Sequence, residues 1–283
     1  MKAIEKVLIA RSKDRPKVTD YIDNVFTDFF EQKGDMLGKE DASIYGGIAL
    51  FHGKPVTVLG HRKGNDINEN VACNFGMPGP EGYRKALRIM KQAEKFGRPI
   101  ITFVDTPGAY PGLEAEMYGI SQAISGNLAA MSSLKVPVIT IVTGEGSSGG
   151  ALGIAVANRV YMLEHAVYSV LSPEGFASIL WHDSERRDEA ADAMKLTAQD
   201  LLEFGVIDGI ISERGSGLTV VDDQQSSGSY SRLFARIDRQ ISAALKELEG
   251  KSGETLALER FEKFRSFDEA FLKASSSARM ENV

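Results

Sequence analysis

Two glycine-rich stretches hold the residues of this sequence best suited to do chemistry: Asp105-Thr-Pro-Gly-Ala-Tyr-Pro-Gly112 and Gly144-Glu-Gly-Ser-Ser-Gly-Gly150. Each follows a short apolar run and precedes a helical pattern, so each reads as a loop at the carboxyl end of a buried strand. Ligands bind at such strand ends in open α/β folds, because loops and helix N-termini converge there. Gly149 and Gly150 are expected to open a helix, where the first N–H groups lack intrahelical acceptors and favour an anion. Having no Cβ, glycine lets a substrate oxygen approach the main chain closely. In the first stretch Pro107 and Pro111 stiffen the turn that carries Gly108, Ala109, Tyr110 and Gly112. Two loops aiming N–H groups at one point are the ingredients of an oxyanion hole, where a single donor is worth about 3–4 kcal/mol of transition-state stabilisation. The plainer reading is a pair of tight strand-to-helix turns; two at consecutive strand ends favour a site.

Sharper chemistries can be tested against the same residues. Asp105-Thr-Pro-Gly108 resembles the DxxG element of GTPases, which also need an upstream G-x-x-x-x-G-K-[ST] loop. The sole Gly-Lys-Ser is Gly250-Lys251-Ser252, with Leu245 at the required glycine, so that reading fails. Gly146-Ser147-Ser148-Gly149-Gly150 satisfies G-x-S-x-G in a strand–turn–helix context, which makes Ser148 a candidate nucleophile. It lacks an evident base: the histidines are His52, His61, His165 and His182, and the next strand pair ends in Leu171-Ser172-Pro173-Glu174. Asp105 and Glu145 flank the loops and read equally as acid–base groups or as loop anchors. Cys73 has no thiolate-stabilising neighbour in sequence and reads as inert.

The elements that must position these loops follow from patterning. The chain has 283 residues, 43% hydrophobic and 25% charged, with a net charge of −6. That is ample core material, and the acidic balance disfavours a nucleic-acid or anionic-membrane binder. One cysteine permits neither an internal disulfide nor a four-cysteine zinc site. The first residues lack the apolar core of a signal peptide, and no run approaches the ~18 apolar residues of a spanning helix, so the expected location is cytoplasmic. Residues 1–45 read as a helical extension with an apolar stripe over 18–32, and 47–51 with 55–59 as a hairpin. The stretch 61–79 reads as a long, functional loop. From residue 80, helices (80–97, 114–134, 150–157, 174–182, 185–194 and one capped by Thr197) alternate with strands at 99–104, 136–142, 160–163, 168–171 and 206–211. Short buried strands alternating with helices indicate a mainly parallel α/β sheet. Residues 213–229 read as a flexible loop, and 230–249 with 254–273 as C-terminal helices packing on the domain or on a partner.

Several motifs, in order, resemble a known family. Asn74-Phe-Gly-Met-Pro-Gly-Pro-Glu-Gly-Tyr-Arg-Lys-Ala-Leu-Arg88, the stretch from Phe96 through Gly112, Gly144 through Leu152, and Tyr168 through Trp181 are similar to the alpha subunits of bacterial acetyl-CoA carboxylase carboxyltransferase. The resemblance implies a crotonase/ClpP-like α/β fold of repeated ββα units over residues 46–212, with helical N- and C-terminal extensions. It implies transfer of a carboxyl group from carboxybiotin, borne on a biotin carboxyl carrier protein, to acetyl-CoA. The product would be malonyl-CoA, the first committed step of fatty acid synthesis. It implies an α2β2 assembly with a beta subunit that carries the zinc, and a biotin carboxylase that brings ATP to the holoenzyme. Matched by position, the amides of Ala109 and Gly150, shaped by Gly108 and Gly149, would bind the biotin ureido oxygen. Tyr110, Gly112, Gly146, Ser147 and Ser148 would complete the biotin site. Glu114-Ala-Glu-Met-Tyr-Gly-Ile120 departs from the family's usual Glu-Glu-Arg-Gly-Gln, and Ser147 stands where glycine is usual. Two other readings are a carboxyltransferase or decarboxylase for another acyl-CoA, and a non-catalytic scaffold subunit.

Overall fold

A computed structural model describes residues 1–216 and 230–280, with side chains as far as residue 267. Residues 217–229 of the expected loop lie outside the described residues. Helices α1 (Ala3–Ala10) and α2 (Val18–Val25) lead into edge strand β1 (Thr27–Glu31), hairpin β2 (Ile44–Phe51) and β3 (Lys54–His61). Then come α3 (Ile67–Ala72), α4 (Pro80–Lys95), β4 (Ile100–Thr106), α5 (Leu113–Met117) and α6 (Ile120–Ser133). Strand β5 (Val138–Ser147), α7 (Ser148–Leu152), β6 (Arg159–Leu163) and β7 (Val167–Ser169) follow. The chain continues through α8 (Pro173–Trp181), α9 (Arg187–Ala193), α10 (Ala198–Glu203), β8 (Gly209–Ile211), α11 (Ser231–Leu248) and α12 (Gly253–Met280).

One sheet runs β1-β2-β3-β4-β5-β6-β8, with β7 added beside the end of β5. The first two pairings are antiparallel and the rest parallel. His52 (φ 49°) and Gly53 (φ 76°) close the hairpin with the two positive φ values of a type I′ turn. Every residue of β4 and β5 is buried. Their first halves, Ile100–Val104 and Val138–Val142, therefore read as near-continuous apolar runs, because helices cover both faces of a parallel sheet.

Several local readings are corrected. The helix expected over 18–32 stops at Val25, and Thr27–Glu31 pairs with β2 instead (Thr27↔Leu50, Phe30↔Ile48). Aromatics at 29 and 30 fit either period, and the unfilled edge of β2 decides; Phe29 then lies 5.2 Å from the Tyr45 ring. Helix α1 lies in the extension read as helical but outside the stripe picked out at 18–32; Ile4, Val7 and Ala10 pack on Val167, Ala191 and Leu196. The stretch 61–79 contains α3, N-capped by Asp66, whose carboxylate accepts from the Glu69 N–H. Gly119 (φ 80°) divides the helix expected over 114–134. Finally, Gly144–Ser147 is strand rather than loop, because β7 hydrogen-bonds it in register (Glu145↔Val167, Gly146↔Tyr168, Ser147↔Ser169). The helix after it is correspondingly short, 148–152 instead of 150–157.

The C-terminal helices belong to the main core. Leu233, Ile237, Ile241, Ala244 and Leu248 of α11 and Leu256 of α12 are buried in it. Arg260 of α12 is fully buried and donates to the carbonyls of Met131 (2.6 Å), Leu134 (2.9 Å) and Val136 (3.1 Å) and to Asn158 Oδ1 (2.6 Å). Burial pulls its guanidinium down to about 10, still charged at neutral pH. Arg260→Ala strands these acceptors and is expected to cost about 3 kcal/mol in urea unfolding. A loss under 1 kcal/mol would show that α12 docks without it.

Candidate active site

The two glycine stretches leave the sheet from neighbouring parallel strands. β4 and β5 run in register from Ile100↔Val138 to Val104↔Val142, then shift to Thr106↔Gly146. The shift carries both chain ends over the top of the sheet and into contact. A Cβ placed on Gly150 would sit 2.4 Å from Ala109 N and 2.5 Å from the Gly108 carbonyl carbon. Only hydrogen fits there. Gly108, at φ 146°, holds a backbone conformation that side chains rarely adopt.

The first turn is tied internally. Thr106 Oγ1 accepts from Gly108 N (3.0 Å) and donates to Gly108 O (2.7 Å), and Tyr110 N donates to Pro78 O (2.9 Å). Between those two committed amides, Ala109 N–H has no partner among the described residues. Across from it, Gly149 and Gly150 occupy the first turn of α7, where no intrahelical acceptor is within reach. The buried Tyr83 hydroxyl donates to Gly150 O (2.9 Å) and Asn127 Nδ2 to Gly153 O (2.9 Å), which pins α7 to α4 and α6. The geometry therefore gathers Gly108, Ala109, Gly149 and Gly150, with unspent amides from both loops.

The other expected residues are distributed around this point. Ser148 is exposed and holds a left-handed φ of 60°, as a nucleophile elbow would, but no base hydrogen-bonds to it among the described residues. It and Gly149 border an apolar cavity of about 430 Å³ shared with Leu152, Tyr168, Val170 and Phe264. Tyr110 lies at the edge of a separate, polar cavity of about 340 Å³ that includes Asp41, Asn74, Glu114 and Tyr118. Gly112 packs under the Tyr110 ring. Gly146 and Ser147, expected in a loop, are buried strand residues.

Beneath the glycines lies a charged layer that sequence reading missed except for Asp105 and Glu145. Lys63 Nζ bridges Asp105 Oδ1 (2.7 Å) and Glu145 Oε2 (3.2 Å), and Glu145 N donates to Asp105 Oδ1 (3.0 Å). Arg11 Nε meets Glu145 Oε1 (2.7 Å), and its Nη1 meets Glu174 Oε1 (2.8 Å). Burial, the largest single influence, would raise the Asp105 carboxyl, but the Lys63 ammonium, the Glu145 N–H and Lys17 together outweigh it and hold that group below its usual value. Burial likewise pulls against the Lys63 ammonium, and the two carboxylates outweigh it and raise it. Of the two options for Asp105 and Glu145, their bonding favours anchoring. His61 is buried beside this layer, and burial drives its imidazole down to about 3. Only the polar character of 61–79 hinted at Lys63; nothing near Arg11 marked it.

Among the described residues no helix is long and apolar enough to cross a membrane. Compared with known proteins, residues 1–268 match the family described as acetyl co-enzyme A carboxylase carboxyltransferase-like. The chain is 53% identical over 264 residues to the acetyl-coenzyme A carboxylase carboxyl transferase subunit alpha of Bacillus cereus (strain G9842), covering 93% of this chain and 79% of that protein. Its identity to the subunit of the same name from Bacillus subtilis (strain 168) is also 53%, over 266 residues, 94% of this chain and 79% of that protein. Among solved structures, the transcarboxylase 12S complex with methylmalonyl-coenzyme A superposes with a TM-score of 0.67 at 21% identity, over 84% of this chain. This chain spans 42% of that longer one, and the likeness is one of fold.

Proposed function

Because the chain belongs to the family of acetyl-coenzyme A carboxylase carboxyl transferase alpha subunits, we infer that it moves the carboxyl group of carboxybiotin to acetyl-CoA, giving malonyl-CoA. The observation that carries this reading is the contact between Gly150 and the Gly108–Ala109 peptide, beside an Ala109 amide with no other partner among the described residues. A ureido oxygen is an acceptor of the right kind for such a hole. It gains negative charge as the bond from biotin nitrogen to the carboxyl carbon breaks. The amides of Ala109 and Gly150 stabilise that charge where it develops, and their neighbours cost no reorganisation because they are already fixed. No side-chain base on this chain is required: the oxygen that gains charge is itself basic enough to take the acetyl proton.

The site is half of an active site. Leu113 (77% exposed), Met117 (71%) and Tyr118 (51%) form an apolar surface beside Tyr110, of the kind a partner covers. A beta subunit fits that place, contributing the acyl-CoA side of the site and the zinc, in an α2β2 assembly. Carboxybiotin reaches the hole on its carrier protein after ATP-dependent loading by biotin carboxylase, all in the cytoplasm, in service of fatty acid synthesis. The test is malonyl-CoA decarboxylation driven by free biotin. Activity is expected only when the chain is co-purified with its beta partner; turnover by the isolated chain would overturn the two-subunit reading. A preference for methylmalonyl-CoA in the same assay would move the assignment to another acyl-CoA.

A further inference from the structure

We propose that Lys63 is an electrostatic positioning residue: its ammonium keeps the layer beneath the two hole amides neutral, so that negative charge can build on the substrate oxygen. Asp105 stands three residues before Gly108, and Glu145 five before Gly150. Both carboxylates are buried and side by side, and Asp105 lies so close under β5 that a Cβ on Gly144 would meet its Oδ1 at 2.3 Å. Two anions at that place oppose the charge the hole exists to stabilise. Among the described residues Lys63 is the one cation that touches both, at 2.7 and 3.2 Å, with its side chain 17% exposed. Of its neighbours from the surrounding elements, Arg11 offsets Glu174 and Arg15 offsets Glu213, which leaves Lys17 to offset one of the two central carboxylates and Lys63 the other. On the α1 side Arg11 pairs with Glu145 and Glu174. Before α2, Arg15 pairs with the buried Glu213 (2.8 Å), and Lys17 faces Asp105. From β3, His61 stays neutral. Loss of the Lys63 charge therefore leaves one buried carboxylate in excess below the hole.

The proposal rests on the reading of Ala109 and Gly150 as that hole. Its test uses the complex with the beta subunit and follows malonyl-CoA decarboxylation with free biotin. Lys63→Met is expected to lower kcat about a hundredfold with little change in KM for malonyl-CoA, the size of effect that small errors around a reacting centre produce. The deficit should narrow as pH falls from 8 to 6, because a carboxylate stripped of its cation takes up a proton more readily. Adding Glu145→Gln should recover at least about tenfold of the loss by restoring neutrality. Packing damage would respond to neither change. A Lys63→Met loss smaller than tenfold, or one that neither lower pH nor Glu145→Gln relieves, overturns the proposal. Should the single variant fail to assemble, the double variant carries the test: kcat within about tenfold of the unsubstituted complex supports it, and a larger loss overturns it. Failure of the hole itself shows separately, as undiminished turnover in a Gly150 variant.

Discussion

Replacing Gly150 with alanine is expected to abolish carboxyl transfer, by more than about a thousandfold in kcat, while the chain still assembles with its beta subunit. One methyl group suffices because it has nowhere to go. The added carbon would lie 2.4 Å from Ala109 N and 2.9 Å from Gly108 Cα, against backbone atoms rather than a side chain that could swing aside. The first loop cannot yield cheaply, since Thr106 Oγ1 holds Gly108 by both its N–H and its carbonyl and Pro78 O accepts from the Tyr110 N–H two residues on. Relief must come from parting the two loops, which displaces both donors at once. A single lost donor of this kind costs about 10²–10³ in kcat, so losing the register of two exceeds that. The measurement is steady-state decarboxylation of malonyl-CoA with free biotin, with the assembly checked by size-exclusion chromatography. An assembled Gly150→Ala complex retaining more than a tenth of the unsubstituted rate would remove the hole from the mechanism.

The second large effect concerns stability in acid. His61 ends β3 opposite Ile44 and is 1% exposed. Burial, the largest influence, draws its imidazole down to about 3; the nearby Asp105 carboxylate and the Gly150 carbonyl offset this in part, and Lys63 reinforces it. In the unfolded chain the same group titrates near ~6.5. Below that pH the unfolded state binds a proton that the native state refuses, so stability is full above about pH 6.5 and drains away as pH falls. Linkage puts the loss at about 3 kcal/mol between pH 7 and pH 4. Asp105, held below its usual value, adds acid sensitivity of the same sign lower still, as pH falls through its folded-state value. Urea unfolding at pH 7 and pH 4 of the native chain and His61→Leu separates the two contributions. The variant should lose much less on acidification; an equal loss in both would mean that His61 titrates normally in the fold.

Much of the architecture was legible because its causes are local. The apolar runs of β4 and β5 and the His52–Gly53 turn declare themselves in a few adjacent residues. So do the glycines of the two loops, since the need for a missing Cβ leaves its mark at the position itself. The motifs from Asn74 to Arg88 and from Tyr168 to Trp181 brought the family into view for the same reason. What escaped depends on partners distant in the chain. Thr27–Glu31 is a strand because β2 offers an unpaired edge, and Gly144–Ser147 is a strand because β7, some twenty residues on, supplies the hydrogen bonds.

The two glycine stretches were thus legible in the sequence itself, through residue types whose shape is their function, and the reaction class through the motifs' resemblance to a known family. Tertiary structure alone decided that Gly150 abuts the Ala109 peptide, and that Lys63 joins Asp105 to Glu145 across 42 and 82 residues of chain. The physical reason is that a lysine's role is set by which carboxylates it meets in a buried layer of low dielectric. No property of Lys63 or its sequence neighbours records that meeting.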